Sequence, residues 1–260
     1  MSEYPVSVLP LFSRREPLIS LLREGAHSKP ELVRSLDISR STVDRCIREL
    51  ESAELGERTD GGFRLTLAGR LLFDEYEQFR ERVDGVFETI PLLSVLSLET
   101  DIDAAALRGA EVTLTDRTAP YRPAESYLDH AQEAQRVDHL MTALGPNYVD
   151  GLRSTVLDDG VEVRLAASQS VTKRLVGRYS DVLDELFATG RLLLRQLESH
   201  PGYSLGLVTV DDTTSLHYLV YTDDGLRGRI ETSHPEAVEV ARQQFERYWR
   251  DGMPVDRSER

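Results

Sequence analysis

Between residues 28 and 70 the chain sets out, in an order few folds accommodate, a capped two-turn helix, a turn, an amphipathic helix, a tight hairpin and the start of another helix. A short helix over 15–23 precedes them, with Pro17 in its first turn, Leu18, Ile19, Leu21 and Leu22 apolar, and Gly25 as its stop. Ser28 caps the next helix while Glu31, three residues on, reaches back to it, and Pro30 suits the first turn. Leu32, Val33 and Leu36 give that helix a buried side, and Asp37-Ile38 forms the turn. Ser39 then caps a third helix over 39–50, in which Val43, Cys46, Ile47 and Leu50 recur at i, i+3, i+4 and i+7 and share one face. Asp60-Gly61-Gly62 between short strands predicts a hairpin whose two central residues need positive φ. Thr66 caps the exit helix.

The outer face of the third helix presents Arg40, Ser41, Asp44, Arg45 and Arg48. Arginine pairs bidentately with guanine and serine reaches bases or phosphate, so this face suits the major groove of double-stranded DNA. Asp44 either accepts from cytosine or orients Arg45 or Arg48. Arg58 and Arg64 flank the hairpin tip, where a wing lies along the duplex backbone, and Lys29, Ser39 and Thr42 complete the candidate DNA-binding set. Through Ser39-Arg40-Ser41-Thr42-Val43 and Leu65-Thr66 with Gly69-Arg70, the first third of the chain resembles the winged helix-turn-helix regulators common in archaea, the halophilic ones included. A winged helix also serves as a protein–protein module, and the acids Asp44, Glu49, Glu51, Glu54, Glu57 and Asp60 in the same window keep that alternative open.

Charge bears on the choice. The 260 residues hold 45 acidic and 31 basic side chains, a net of −14, and only Lys29 and Lys173 are lysines. Residues 1–85 hold 13 basic against 16 acidic groups, and residues 86–260 hold 18 against 29. Such a field repels a polyanion in dilute salt, but at 1 M salt it is screened within roughly 3 Å and local arginines still dock on phosphate. Acidic, lysine-poor, arginine-retaining composition resembles that of halophilic archaeal proteins; a GC-rich genome gives the same arginine bias. The single Cys46 excludes an intrachain disulfide and a cysteine zinc cluster. No apolar run is long enough to span a bilayer and no signal peptide opens the chain, so a cytoplasmic protein is expected.

Residues 67–90 read as one connecting helix. Leu72, Tyr76, Phe79, Val83, Val86 and Ile90 are spaced 4, 3, 4, 3, 4, a coiled-coil-like stripe that predicts a homodimer; the alternative is that it packs on its own C-terminal domain. Gly85 weakens the helix and Pro91 follows its end. Beyond residue 98 the sequence predicts a strand at Val112–Leu114, a helix over 124–144, another over 148–157, a strand over 161–168, a helix over 170–189, and a strand at RLLLRQLE. Three strands with Asp-rich turns follow, then a last helix opened by Ser233, Pro235 and Glu236. The expected fold is therefore α+β/α/β: a winged helix-turn-helix over 1–67, a connecting helix over 68–97, an α/β sensor domain over 98–250, and a disordered tail over 251–260.

Gly145-Pro146-Asn147-Tyr148, Gly160-Val161-Glu162-Val163 and Gly225-Leu226-Arg227-Gly228 resemble the effector domain of an archaeal family named for a methanogenesis regulatory protein. That resemblance implies transcriptional regulation with sensing of a small-molecule effector or partner, and supplies no ligand. Loops at strand ends nominate Asp116, Arg117, Tyr121, Arg122 and Ser168 for the ligand, with Arg227 and Arg229 for an anion. No phosphate loop, nucleophile elbow or H-E-x-x-H occurs, so neither catalytic residue nor cofactor is assigned. His130, Glu133 and His139 could share a metal, though such sets are common on surface helices and no metal is assigned. An enzyme fused to a DNA-binding head is the remaining alternative.

Overall fold

The computed structural model describes residues 4–145 and 147–255, with the side chains of residues 4–7 left aside. Contacts divide the chain into two compact units, residues 1–81 and 82–260.

In the first unit, α1 (Tyr4–Glu24) is longer than 15–23 and holds Pro10 and Pro17 inside it. Leu11, Phe12, Leu18, Ile19 and Leu22 share its buried face, and this burial carries the helix through both prolines. α2 (Lys29–Leu36) begins at the expected cap, where the Ser28 N–H donates to Glu31 Oε2 at 2.7 Å. Asp37 turns the chain at φ 51°. α3 (Arg40–Ser52) is capped by Ser39, whose hydroxyl accepts from the Thr42 N–H at 3.1 Å. β1 (Gly56–Thr59) pairs antiparallel with β2 (Gly62–Leu65) around Asp60-Gly61. The hairpin is as tight as expected, but neither central residue has positive φ; the left-handed position is Gly62, at φ 126°. A Cβ at Gly62 would stand 2.3 Å from the His27 carbonyl oxygen. The reason is the exchange of hydrogen bonds between Phe63 and His27 (2.8 and 2.9 Å), which draws residue 27 against the wing.

α4 (Leu67–Leu93) runs on past the expected stop, with Pro91 inside its last turn. Gly85, which in sequence only weakens this helix, has a packing reason: a Cβ there would lie 2.0 Å from the Leu107 carbonyl oxygen. Helix propensity alone favours Gly85→Ala by about 1 kcal/mol, whereas forcing a backbone apart costs about 1–3 kcal/mol. Gly85→Ala is therefore expected to lower the stability of the second unit by up to about 2 kcal/mol in urea denaturation. Gly177→Ala has no atom within 4 Å of its new methyl and is expected to be neutral or stabilising; a gain at Gly85 would disprove the close approach.

The second unit is an eight-stranded sheet in the order β10-β6-β5-β4-β7-β8-β9-β3. After a short 3₁₀ turn at Ala104–Leu107 come β3 (Glu111–Leu114), α5 (Arg122–Gln132), β4 (Arg136–Met141), α6 (Tyr148–Leu157), β5 (Glu162–Ser168), α7 (Gln169–Arg178), α8 (Ser180–Ala188) and β6 (Leu192–Leu197). The chain closes with β7 (Tyr203–Val210), β8 (Thr213–Thr222), β9 (Gly225–Thr232), α9 (Pro235–Asp251) and β10 (Met253–Pro254). β4, β5 and β6 run parallel to one another, and every other pairing is antiparallel. Alternate residues face opposite layers: Val163, Leu165 and Ala167 meet α5–α8 on one side, and Ala166 joins Leu207, Tyr218 and the Ala237–Phe245 face of α9 on the other.

Three expectations need correcting. The helix expected over 124–144 ends at Gln132, and residues 136–141 form the central strand β4. The helix expected over 170–189 breaks at Tyr179 into α7 and α8. The cap of α9 is His234, whose Nδ1 accepts from the Glu236 N–H at 3.3 Å, rather than Ser233. Of the tail expected over 251–260, Asp251 ends α9 and Met253–Pro254 pair with β6, while 256–260 lie outside the described residues.

Candidate nucleic-acid interface and a cavity of the second unit

In the first unit, α3 hides Val43, Cys46, Ile47 and Leu50 at 1% exposure or less. Burial pushes the Cys46 thiol up to about 12, which leaves it an inert core group. The other face holds Arg40, Ser41, Arg45 and Arg48, all exposed. Among the described residues Arg40 and Arg45 have no ion pair, and Arg48 Nε donates to the Asp44 carbonyl at 3.2 Å. The remaining candidates are engaged at home. Lys29 pairs with Asp44, and that bond first, with the charges of Arg40 and Arg48 added, holds the carboxylate below its ordinary range. Arg58 pairs with Glu51 and Arg64 with Glu57, both at 2.7 Å. The Ser39 hydroxyl touches Ser41 and Thr42 at 2.8 and 2.9 Å and serves the cap, so its role is structural first.

The stripe on α4 divides. Leu72, Phe79 and Ile90 are 45%, 56% and 47% exposed. Tyr76 is buried against Phe12 and stacked on Phe73, and Val86 packs on the core of the second unit, so neither is outward. Exposed Leu71 and Phe87 extend the apolar surface beyond the heptad positions.

The ligand candidates do not converge. The Asp116 carboxylate accepts from the Thr118 hydroxyl (2.6 Å), Thr118 N (2.6 Å) and Ala119 N (2.9 Å), bonds that close a loop turn and hold it below its ordinary range. Ser168 caps α7 at Val171 N (3.4 Å). Arg117, Arg122 and Arg227 are exposed. Arg229 is buried and bonded to Glu231 at 2.6 Å, with Nε and Nη1 lacking a partner among the described residues. Tyr121 alone of the seven reaches a cavity of about 290 Å³ in the second unit.

The cavity lies beside a row of polar residues that register places across four strands. His139 on β4 faces Gly206 on β7, Gly206 faces His217 on β8, and His217 faces Glu231 on β9. Gly206 leaves room for the Tyr127 ring of α5: a Cβ there would lie 2.5 Å from it. Tyr127 thus stands between the two imidazoles, with ring centroids 5.1 and 5.3 Å away. His139 Nδ1 bonds the Tyr148 hydroxyl at 2.9 Å and His217 Nε2 bonds the Ser215 hydroxyl at 2.8 Å. Tyr127 OH, His139 Nε2 and His217 Nδ1 are buried without partners among the described residues. Burial pushes His139 down to about 3; burial first, then Arg229, pushes His217 well below its ordinary value. Both rings are neutral at physiological pH.

One ligand atom each from His130, His217 and Glu231 fall within 4.8 Å of one another, a spacing that suits a divalent metal. The Arg229 guanidinium already holds Glu231 and opposes a second cation there. Glu133 and His139 have no part in this set. The strand assignment explains the miss: read as helix, His139 points nowhere in particular, while on β4 it meets residues 67 and 78 positions later.

A family model for the methanogenesis regulatory protein FilR1, middle domain, matches residues 120–251, and one for the HVO_A0261 N-terminal domain matches residues 5–86. No curated protein matches the chain. Similar solved structures include TrmBL2, an archaeal chromatin protein described as showing a novel mode of DNA binding (16% identity over 96% of this chain and 100% of that one, TM-score 0.42). Others are the phospholipase D family member Nuc from Salmonella typhimurium (14%, 56% and 97%, 0.43) and NucT from Helicobacter pylori (12%, 56% and 98%, 0.41). These likenesses are too distant to transfer an activity. Among the described residues no helix is long and apolar enough to cross a membrane.

Proposed function

The chain belongs to the family of the methanogenesis regulatory protein FilR1 middle domain, and from that membership we propose that it is a DNA-binding transcriptional regulator of the cytoplasm. The winged first unit reads the duplex, the second unit senses an effector, and a homodimer forms through the exposed α4 positions Leu72, Phe79 and Ile90. The observation that carries this reading is α3, whose one face is sealed in the core while the other offers Arg40 and Arg45 without an acidic partner. Arg48 shares that face, and Arg58 and Arg64 reach the flanking backbone after leaving Glu51 and Glu57.

The test is binding of the full chain to a duplex selected from a random pool. Arg45→Ala is expected to weaken the selected duplex about 5- to 150-fold, the equivalent of about 1–3 kcal/mol, and to leave unrelated duplexes unchanged. Equal loss on every sequence would move Arg45 to a phosphate contact. Selection of no duplex by the native chain would sink the reading in favour of protein recognition.

Catalysis is the weaker reading of the second unit. A general base works best when it titrates near the operating pH, whereas burial takes His139 to about 3 and drives Tyr127 and Tyr148 far above their ordinary range. These groups hold their protonation states fixed, which suits recognition.

A further inference from the structure

We propose that the cavity of the second unit binds a small uncharged aromatic molecule carrying one hydrogen-bonding oxygen, the class of aryl ketones and phenols. The inference rests on the effector reading and gives it a ligand chemistry. At about 290 Å³ the space is at the small end of ligand pockets, enough for a single ring and its substituents. Its walls are apolar and aromatic: Tyr121, Tyr148 and Tyr221 stand with Leu128, Met141 and Leu219. No arginine or lysine is among the described lining residues, so a carboxylate or phosphate meets no counter-charge; the one charged side chain is Glu125, exposed on the first turns of α5. A sugar, with a hydroxyl on every carbon, would strand most of its polar groups against hydrocarbon.

Two polar groups of the lining ask for a partner. Tyr127 and His139 are each 2% exposed, and the Tyr127 hydroxyl and His139 Nε2 have none among the described residues. In the tautomer in which the Tyr148 hydroxyl donates to Nδ1, the ring proton of neutral His139 sits on Nε2 and donates; in the other, Nε2 accepts from a ligand hydroxyl. A carbonyl or phenolic oxygen that reaches either group satisfies it, while the ligand ring packs edge and face against the tyrosines.

Calorimetric titration of the full chain with acetophenone and p-cresol, and with benzoate as an anion of the same shape, tests the proposal without DNA. Both uncharged probes are expected to bind, and benzoate at least about tenfold more weakly. Tyr127→Phe keeps the ring and removes the hydroxyl; it is expected to weaken acetophenone about tenfold. Ala124→Phe, at a half-buried α5 position, fills part of the space and is expected to abolish binding of both probes. Equal binding of benzoate, no binding of either uncharged probe, or unchanged binding in both variants would overturn the assignment. Duplex binding, measured separately without probes, fails or succeeds independently: probe binding by a chain that selects no duplex leaves the cavity assignment intact and removes the regulator reading.

Discussion

Arg164→Met is expected to destabilise the second unit by about 3–5 kcal/mol, the range for removing one partner of a buried ion pair. Asp138 on β4 is 2% exposed, and its carboxylate is held by Arg164 on β5 through Nε–Oδ1 at 2.6 Å and Nη2–Oδ2 at 2.7 Å. The guanidinium also binds Glu246 at 2.7 Å and lies 4.8 and 5.2 Å from the ring centroids of Phe245 and Trp249. Methionine keeps the stem and the aromatic contact but, among the described residues, leaves Asp138 the outlying Arg136 alone, at 3.2 Å. Trp249 is the one tryptophan of the chain and belongs to this unit, so its fluorescence during urea denaturation reports the loss directly. Asp138→Asn added to Arg164→Met removes the stranded charge and is expected to recover more than half of the deficit. A loss under about 1 kcal/mol in the single variant would show that water, rather than protein, surrounds the pair.

Acid is expected to weaken the same unit by at least about 2 kcal/mol between pH 7.5 and pH 5. His139 and His217 have native values below those of the unfolded chain. Their contribution is therefore complete above the unfolded value near 6.5 and is lost as pH falls through it, for His139 towards about 3, because the unfolded chain takes protons the native one refuses. At pH 5, about one and a half units below the unfolded value, His139 costs about 2 kcal/mol at 1.36 kcal/mol per unit, and His217 adds to the loss in the same direction. Urea midpoints followed through Trp249 at the two pH values measure it. His139→Gln is expected to shrink the difference between them by about 2 kcal/mol, and His217→Gln to shrink it further. An unchanged pH dependence in both variants would place the acid lability in the carboxylates instead.

The first unit was readable because its signals are local: Ser28 with Glu31, the Ser39 cap, the apolar face Val43–Leu50 and the Asp-Gly hairpin each act within a few residues. What local chemistry could not give was the φ of the wing turn, which a distant partner, His27, decides. The second unit was less legible. β4 carries Asp138 and His139 in its buried run, so it lacks the continuous apolar pattern of a central parallel strand. Both polar groups are explained only by residues far along the chain, Arg164 for one and Tyr148 with the Gly206 gap for the other. The cavity followed the same rule: Tyr121 was within reach of a strand-end argument, whereas Tyr127, His139, Tyr148 and Tyr221 come together only through sheet register.

The pairs Lys29–Asp44, Arg58–Glu51 and Arg64–Glu57 in the winged unit change the ion stoichiometry of association with a polyanion. A free arginine that meets phosphate liberates about one condensed cation, the source of the usual steep salt penalty. Here each cationic side chain that turns to phosphate abandons a carboxylate, and that carboxylate recruits a cation from solution. If these three side chains meet phosphate as proposed, the uptake offsets part of the liberation, and duplex affinity through them is expected to fall less steeply with ionic strength than through arginines that have no carboxylate to leave.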